Sequence, residues 1–203
     1  MSSLSTAASP LERIAEDPLW LRQFSVAEYH KMIETGIIPS GERVELLEGW
    51  IVNKMTQNPP RRSSVSRVVR RLSRVLPESW TMQVQGPITL SDTEPEPDIA
   101  IARGEEEAYD TRHPKASDIG LLIEVGDSSV LLDGRYKGGL YAQARVSEFW
   151  LINLVRRILE VHTKPRNGKY QKKVEYTETQ KVPLILDGVK IAEIPVSELM
   201  PKV

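Results

Sequence analysis

Ile119-Gly-Leu-Leu-Ile-Glu-Val125 is the stretch on which the reading of this chain turns. It is a nearly unbroken apolar run of strand length, and a strand covered on both faces needs no polar alternation. It therefore reads as the central strand of an α/β protein. On its N-terminal side, Asp98 to Ala102 forms a second apolar strand, entered through Glu94-Pro-Glu-Pro97, whose prolines hold the backbone extended. On its C-terminal side, Asp133 is placed to cap a helix running to about Arg145. Glu148 to Asn153 and Ile158 to His162 then read as strands joined by a turn near Arg156. Asn167-Gly168 marks another turn, followed by short strands near Lys172 to Tyr176, Val182 to Leu186 and Lys190 to Ile194.

Upstream, Ser25 and Glu28 have capping-box spacing, which predicts a short helix to Gly36. Two β-prone runs flank Glu48-Gly49 and predict a hairpin between Arg43 and Met55. Asn58-Pro-Pro60 breaks the pattern before a helix whose apolar residues Val65, Val68, Val69, Leu72 and Leu76 recur at helical spacing, with Pro77 as its stop. Trp80 to Leu90 reads as a strand, and a polar loop follows Ala102. Residues 1–24 are Ser/Ala/Pro-rich and read as a poorly ordered, flexible arm, leaving 25–203 as one domain.

The chain has 203 residues, 40% hydrophobic and 27% charged, which is enough to bury a core without covalent staples. It contains no cysteine, so disulfides, thiolate zinc sites and cysteine nucleophiles are excluded, and a reducing, cytoplasmic location is expected. No membrane association is expected, because no leader pattern and no apolar run of spanning length occurs. The net charge of −1 does not itself announce a nucleic-acid partner.

Two acids stand out because each sits in a strand that should be buried: Asp98 opens one and Glu124 nearly closes the other. A buried carboxylate is costly unless it is paired or bound to metal. Oxygen ligands on neighbouring strands suit a hard ion such as Mg²⁺. Exposed strand ends or ion-paired structural acids would give the same pattern. Lys137 follows Asp133 by four residues and precedes Tyr141 by four, so the three share a helix face. If that face packs beside Glu124, the ammonium reaches a metal-bound water or a phosphate; otherwise it is a surface lysine paired with Asp133.

Taken in order, Glu96-Pro-Asp98-Ile-Ala, Leu122-Ile-Glu124-Val, Asp133-x-x-x-Lys137-x-x-x-Tyr141 and Val146-Ser-Glu148-Phe-Trp150-Leu-Ile resemble the Uma2 family of restriction-endonuclease-like proteins, over about Ser25 to Pro195. Glu45-Leu-Leu-Glu-Gly49 is similar to that family's early hairpin motif. The resemblance implies the PD-(D/E)XK nuclease fold, an α/β (α+β) architecture with a mixed central sheet flanked by helices. It implies Mg²⁺, or Mn²⁺ in its place, held by Asp98 and Glu124, with Lys137 as the third catalytic member and Glu45 and Tyr141 in auxiliary places. The implied activity is endonucleolytic hydrolysis of DNA phosphodiester bonds. The alternative is an inactive member of the fold, kept as a DNA-binding or protein-interaction module. In the wider superfamily the lysine lies two residues after the glutamate, where this chain has Gly126, so Lys137 would be its displaced counterpart. The family's frequent histidine before the second helix falls near Arg62 and is absent. Gly138 and Gly139 beside Lys137 imply either close packing or a loosened helix. Cutting both strands needs two sites, so a homodimer is expected, with the strands from Phe149 to Val161 donating an edge or a face to the contact.

Arg67, Arg70, Arg71 and Arg74 recur at i, i+3, i+4 and i+7 opposite the apolar stripe of their helix. Such a face can follow a phosphate backbone, or can simply be solvated. His30, His113 and His162 are widely separated and form no metal-ligand spacing, so no zinc site is expected. No phosphate-cradling glycine loop occurs, and Phe149 and Trp150 read as core residues.

Overall fold

The computed structural model describes residues 21–54, 58–127 and 131–202, and gives no side-chain detail for 131–133. Most of the expected N-terminal arm therefore lies outside the described residues. The elements run α1 (Val26–Glu34), β1 (Val44–Leu47), β2 (Trp50–Asn53), α2 (Pro59–Leu72), β3 (Trp80–Val84), β4 (Ile99–Arg103), β5 (Ile119–Gly126), α3 (Leu131–Gln143), β6 (Glu148–Asn153), β7 (Ile158–Arg166), β8 (Lys169–Thr177), β9 (Lys181–Leu186) and β10 (Val189–Pro195).

Strands β3 to β8 form one six-stranded sheet in sequence order, while β1–β2 and β9–β10 are separate hairpins. Every pairing in the large sheet is antiparallel except β5 with β6. A parallel pair needs a crossover, and α3 supplies it. The mixed sheet flanked by helices is the architecture that the resemblance implied. Alternation along β4 and β5 divides the core. Ile99, Ile101, Leu121, Ile123 and Val125 face α2 and the β9–β10 hairpin, whereas Ala100, Ala102 and Leu122 face Tyr141 of α3. Phe149 and Trp150 are core residues, both essentially inaccessible to water.

Local rules account for most boundaries. Ser25 and Glu28 form a full capping box on α1. The β1–β2 turn places Glu48 and Gly49 at φ +48° and +79°, as a tight hairpin requires. Pro59 and Pro60 begin α2 rather than merely preceding it. Asn58 is the N-cap, and its side chain accepts from the Arg61 amide; proline's missing N–H costs nothing in a first turn.

Four expectations need correction. Helix α2 ends at Leu72, with Ser73 as its C-cap, short of Pro77. The strand starting at Trp80 stops at Val84, because Gln85 turns to φ +53° and Gly86-Pro87 follows. Helix α3 begins at Leu131, before Asp133, and the Asp133 side chain lies outside the described residues. Strands β6 and β7 are interior to the sheet, each paired on both sides, so of the edge and the face expected to meet a second copy, Phe149 to Val161 offers no free edge. The edges are β3 and β8. Among the described residues, no helix is long and apolar enough to cross a membrane.

Candidate functional site

The register of β4 against β5 pairs Ala100 with Leu122 and Ile99 with Ile123. One further step sets Asp98 opposite Glu124, on the face toward α3, where directly opposed side chains in an antiparallel pair are neighbours. Both are buried, at 2% and 1% relative exposure. The two acids thus meet at one end of the sheet's centre, as a shared ion would require.

Each acid receives a cation from a different helix. Arg61, in the first turn of α2, grips both oxygens of Asp98: Nη2 lies 3.2 Å from Oδ1 and 3.1 Å from Oδ2, with Nε 3.3 Å from Oδ2. The Val125 amide also donates to Asp98 Oδ2 at 2.8 Å. From α3, Lys137 Nζ stands 2.9 Å from Glu45 Oε2 and 3.9 Å from Glu124 Oε1, the oxygen to which the Tyr141 hydroxyl donates at 2.7 Å. Glu45 enters from β1. Val44 and Leu46 on that strand join the small core around Tyr29, so alternation turns Glu45 the other way, where its Oε2 also accepts the Glu96 amide at 3.0 Å.

Two glycines allow α3 to come this close. A Cβ on Gly138 would sit 2.8 Å from Phe149 Cε1, and one on Gly134 would sit 2.8 Å from Leu151 Cδ1. Gly139, by contrast, faces open space. Of the two meanings open for the glycines, Gly138 carries the close packing.

The structure thus brings Asp98, Glu124, Lys137, Glu45 and Tyr141 into one cluster. Lys137 is buried at 3% exposure and pairs with Glu45, so it is not a solvent-exposed lysine. The arginine face fares less evenly. Arg70 and Arg74 are exposed, but Arg71 pairs with Glu198 at 2.9 Å, and Arg67 is half-buried. Sequence reasoning missed Arg61, although a signal was present. Arg61 lies four, seven and eleven residues before Val65, Val68 and Leu72, on their own stripe, and a charge on a core-facing stripe calls for a buried counter-charge. Arg62, where the family's histidine would fall, is exposed. The histidine reading also needs correction, since His30 and His113 converge on Glu94 when the chain folds.

The donor set suits a hard divalent ion: two carboxylates from adjacent strands, with a third close by in Glu45. Three carboxylates against two cations leave one net negative charge if all are ionised. Nearby carboxylates also act on Tyr29, whose hydroxyl is pushed up to about 12 by burial first and then by Glu94, Glu96 and Glu45. An ion at Asp98 has to share that carboxylate with Arg61 or displace the guanidinium. A different solution is seen at Glu148, which is buried on β6 with the Trp150 indole N–H donating at 2.6 Å; burial raises its carboxyl to about 7.

A crystal structure of "a putative nuclease belonging to DUF820" from Anabaena variabilis superposes on this chain with a TM-score of 0.68 at 16% sequence identity, covering 87% of this chain and 97% of that one. At that identity the likeness is one of fold. A search of curated proteins returns no match. The sequence model of the Uma2 family, described as "Putative restriction endonuclease", matches residues 26–196. That match spans the hairpin bearing Glu45, both strands of the acid pair and the helix bearing Lys137, and the chain belongs to the Uma2 family.

Proposed function

We propose that this protein is a metal-dependent endodeoxyribonuclease, in which Asp98 and Glu124 hold Mg²⁺ (or Mn²⁺) and Lys137 is the third member of the site. The observation that carries this reading is the convergence of the three on one buried cluster, with Lys137 Nζ 3.9 Å from the Glu124 carboxylate. When bound, the ion would lower the pKa of a coordinated water and polarise the phosphate. The protein's own part is positional. Tyr141 fixes one oxygen of Glu124, the Val125 amide fixes one oxygen of Asp98, and Glu45 holds the Lys137 ammonium beside the pair. A held ammonium stabilises negative charge developing on a phosphate oxygen without reorganising at the moment of reaction. Arg70 and Arg74 are the exposed members of the α2 basic face and are the residues left for contact with the DNA backbone. Double-strand cutting would still require a dimer, which light scattering with and without DNA tests.

A non-catalytic role has one observation in its favour: Arg61 already engages both oxygens of Asp98. The test is cleavage of plasmid DNA by the wild type, Asp98→Asn and Glu124→Gln, each with Mg²⁺ and with EDTA. The enzyme reading expects Mg²⁺-dependent cleavage by the wild type alone. Equal cleavage by all three would remove the acid pair from the chemistry, and no cleavage by any would favour the binding module.

A further inference from the structure

Outside the carboxylate cluster, three segments distant in the chain meet at an open pocket of about 630 Å³. His30 comes from α1, Glu94 from the segment before β4, and His113 from the loop between β4 and β5. One ligand atom from each lies within 4.8 Å of the other two. Glu94 is only 3% exposed, yet it lines the pocket, with both its oxygens 2.8 Å from His30 Nε2. The Thr89 hydroxyl donates to Glu94 Oε2 at 2.8 Å, which fixes the carboxylate's orientation from behind. The His113 ring stands edge-on to His30, centroids 5.9 Å apart.

The His30–Glu94 contact leaves His113 unused, although its ring is brought edge-on against His30 and its ligand atom to within 4.8 Å of the other two. We propose that His30, Glu94 and His113 form a Zn²⁺ site distinct from the acid pair. Two imidazole nitrogens and one carboxylate are a donor set that zinc takes, with the fourth position open toward the pocket. The two sites differ in hardness: nitrogen donors favour zinc, whereas oxygen donors favour Mg²⁺. Ligand atoms around tetrahedral zinc at about 2.0–2.1 Å lie roughly 3.3–3.4 Å apart. The widest separation here therefore has to close by at most about 1.5 Å, which rotation of two partly exposed histidine side chains supplies. Bound zinc would tie α1 to the segment before β4 and to the loop that follows β4. Glu96 lines the same pocket, and its amide is held by Glu45, so the zinc would brace the wall behind Lys137.

The test uses the full chain stripped with EDTA, with Zn²⁺ added in a calorimeter and the thermal midpoint followed in parallel. The proposal expects one equivalent bound in the micromolar range or tighter, with a raised midpoint. Asp98→Asn should keep both. His113→Gln should weaken binding at least tenfold and lose the zinc-induced rise, while its metal-free midpoint stays close to that of the wild type. His30→Gln should behave alike; should it fail to fold for want of the Glu94 pair, His113→Gln decides, since the His113 ring takes no part in that pair. Absence of zinc binding by the wild type, or wild-type affinity in His113→Gln, would overturn the site.

Discussion

Helix α2 reaches the acid pair with its end, and helix α3 reaches it with its side. Val65, Val68 and Leu72 seat α2 on one face of the sheet, and only its first turn, through Arg61, extends to Asp98. Helix α3 lies on the other face, drawn in by Gly134 and Gly138, and sets Lys137 between Glu45 and Glu124. The Arg61 guanidinium engages both oxygens of the carboxylate it touches. The Lys137 ammonium instead lies closer to Glu45 than to Glu124, beside the pair rather than on it. The difference is one of engagement: Arg61 forms a bidentate pair with Asp98, whereas Lys137 pairs with Glu45 and stands 3.9 Å from Glu124, the place the proposed mechanism needs for its third member.

On the α3 side the effect should appear in the chemistry. Lys137→Met should slow DNA cleavage by about a hundredfold or more, the usual scale for a positioned charge or proton-transfer group. Single-turnover rates at saturating Mg²⁺ measure it, and an unchanged rate would leave Lys137 as a structural partner of Glu45. On the α2 side the effect should appear in stability. Arg61→Met strands a buried carboxylate, and removing one member of a buried pair costs about 3–5 kcal/mol. Urea unfolding should show that loss without metal, and Mg²⁺ should recover more stability in the variant than in the wild type, because Asp98 is then free for the ion.

Glu148 is a buried acid on β6 whose carboxyl is pushed up by burial, with the Trp150 indole N–H opposing the shift. Its folded pKa of about 7 lies above its ordinary value of 4.5, so the folded state holds the extra proton between them. The stability this contributes is complete below pH 4.5 and is lost as pH rises through 7, on the order of 3 kcal/mol in all. Glu148→Gln should flatten that part of the stability curve between about pH 4.5 and 7; an unaltered slope would show that Glu148 is ionised in the fold. The smallest effects set two adjacent glycines against each other. Gly138→Ala drives a methyl into the buried Phe149 ring and should cost about 1–3 kcal/mol. Gly139→Ala meets nothing within 4 Å and should gain up to about 1 kcal/mol. Equal effects would mean that α3 does not depend on close approach at Gly138.

Elements set by local chemistry were legible in the sequence. The Ser25–Glu28 box, the Glu48-Gly49 and Asn167-Gly168 turns, and the apolar run around Leu121 each carry their own cause within a few residues. The acid pair was legible for a related reason, since Asp98 and Glu124 are charges placed in strands that tolerate none. What the sequence hid is convergence across the chain. No spacing rule joins Arg61 to Asp98, Glu45 to Lys137, or His30 to His113, because only the packed sheet brings them together. The length of β3 was misjudged because Ile88 and Leu90 are buried without being in a strand, and apolar pattern alone does not distinguish the two.

Calorimetric titration with Mg²⁺ of the wild type, Asp98→Asn and Lys137→Met tests the central claim most directly, because Mg²⁺ prefers oxygen donors over the imidazole pair and reports on the acid pair. A metal site at the acid pair gives binding by the wild type, loss in Asp98→Asn, and binding at least as tight in Lys137→Met, where a nearby positive charge is removed and no proposed ligand is lost. Wild-type Mg²⁺ affinity in Asp98→Asn would contradict it.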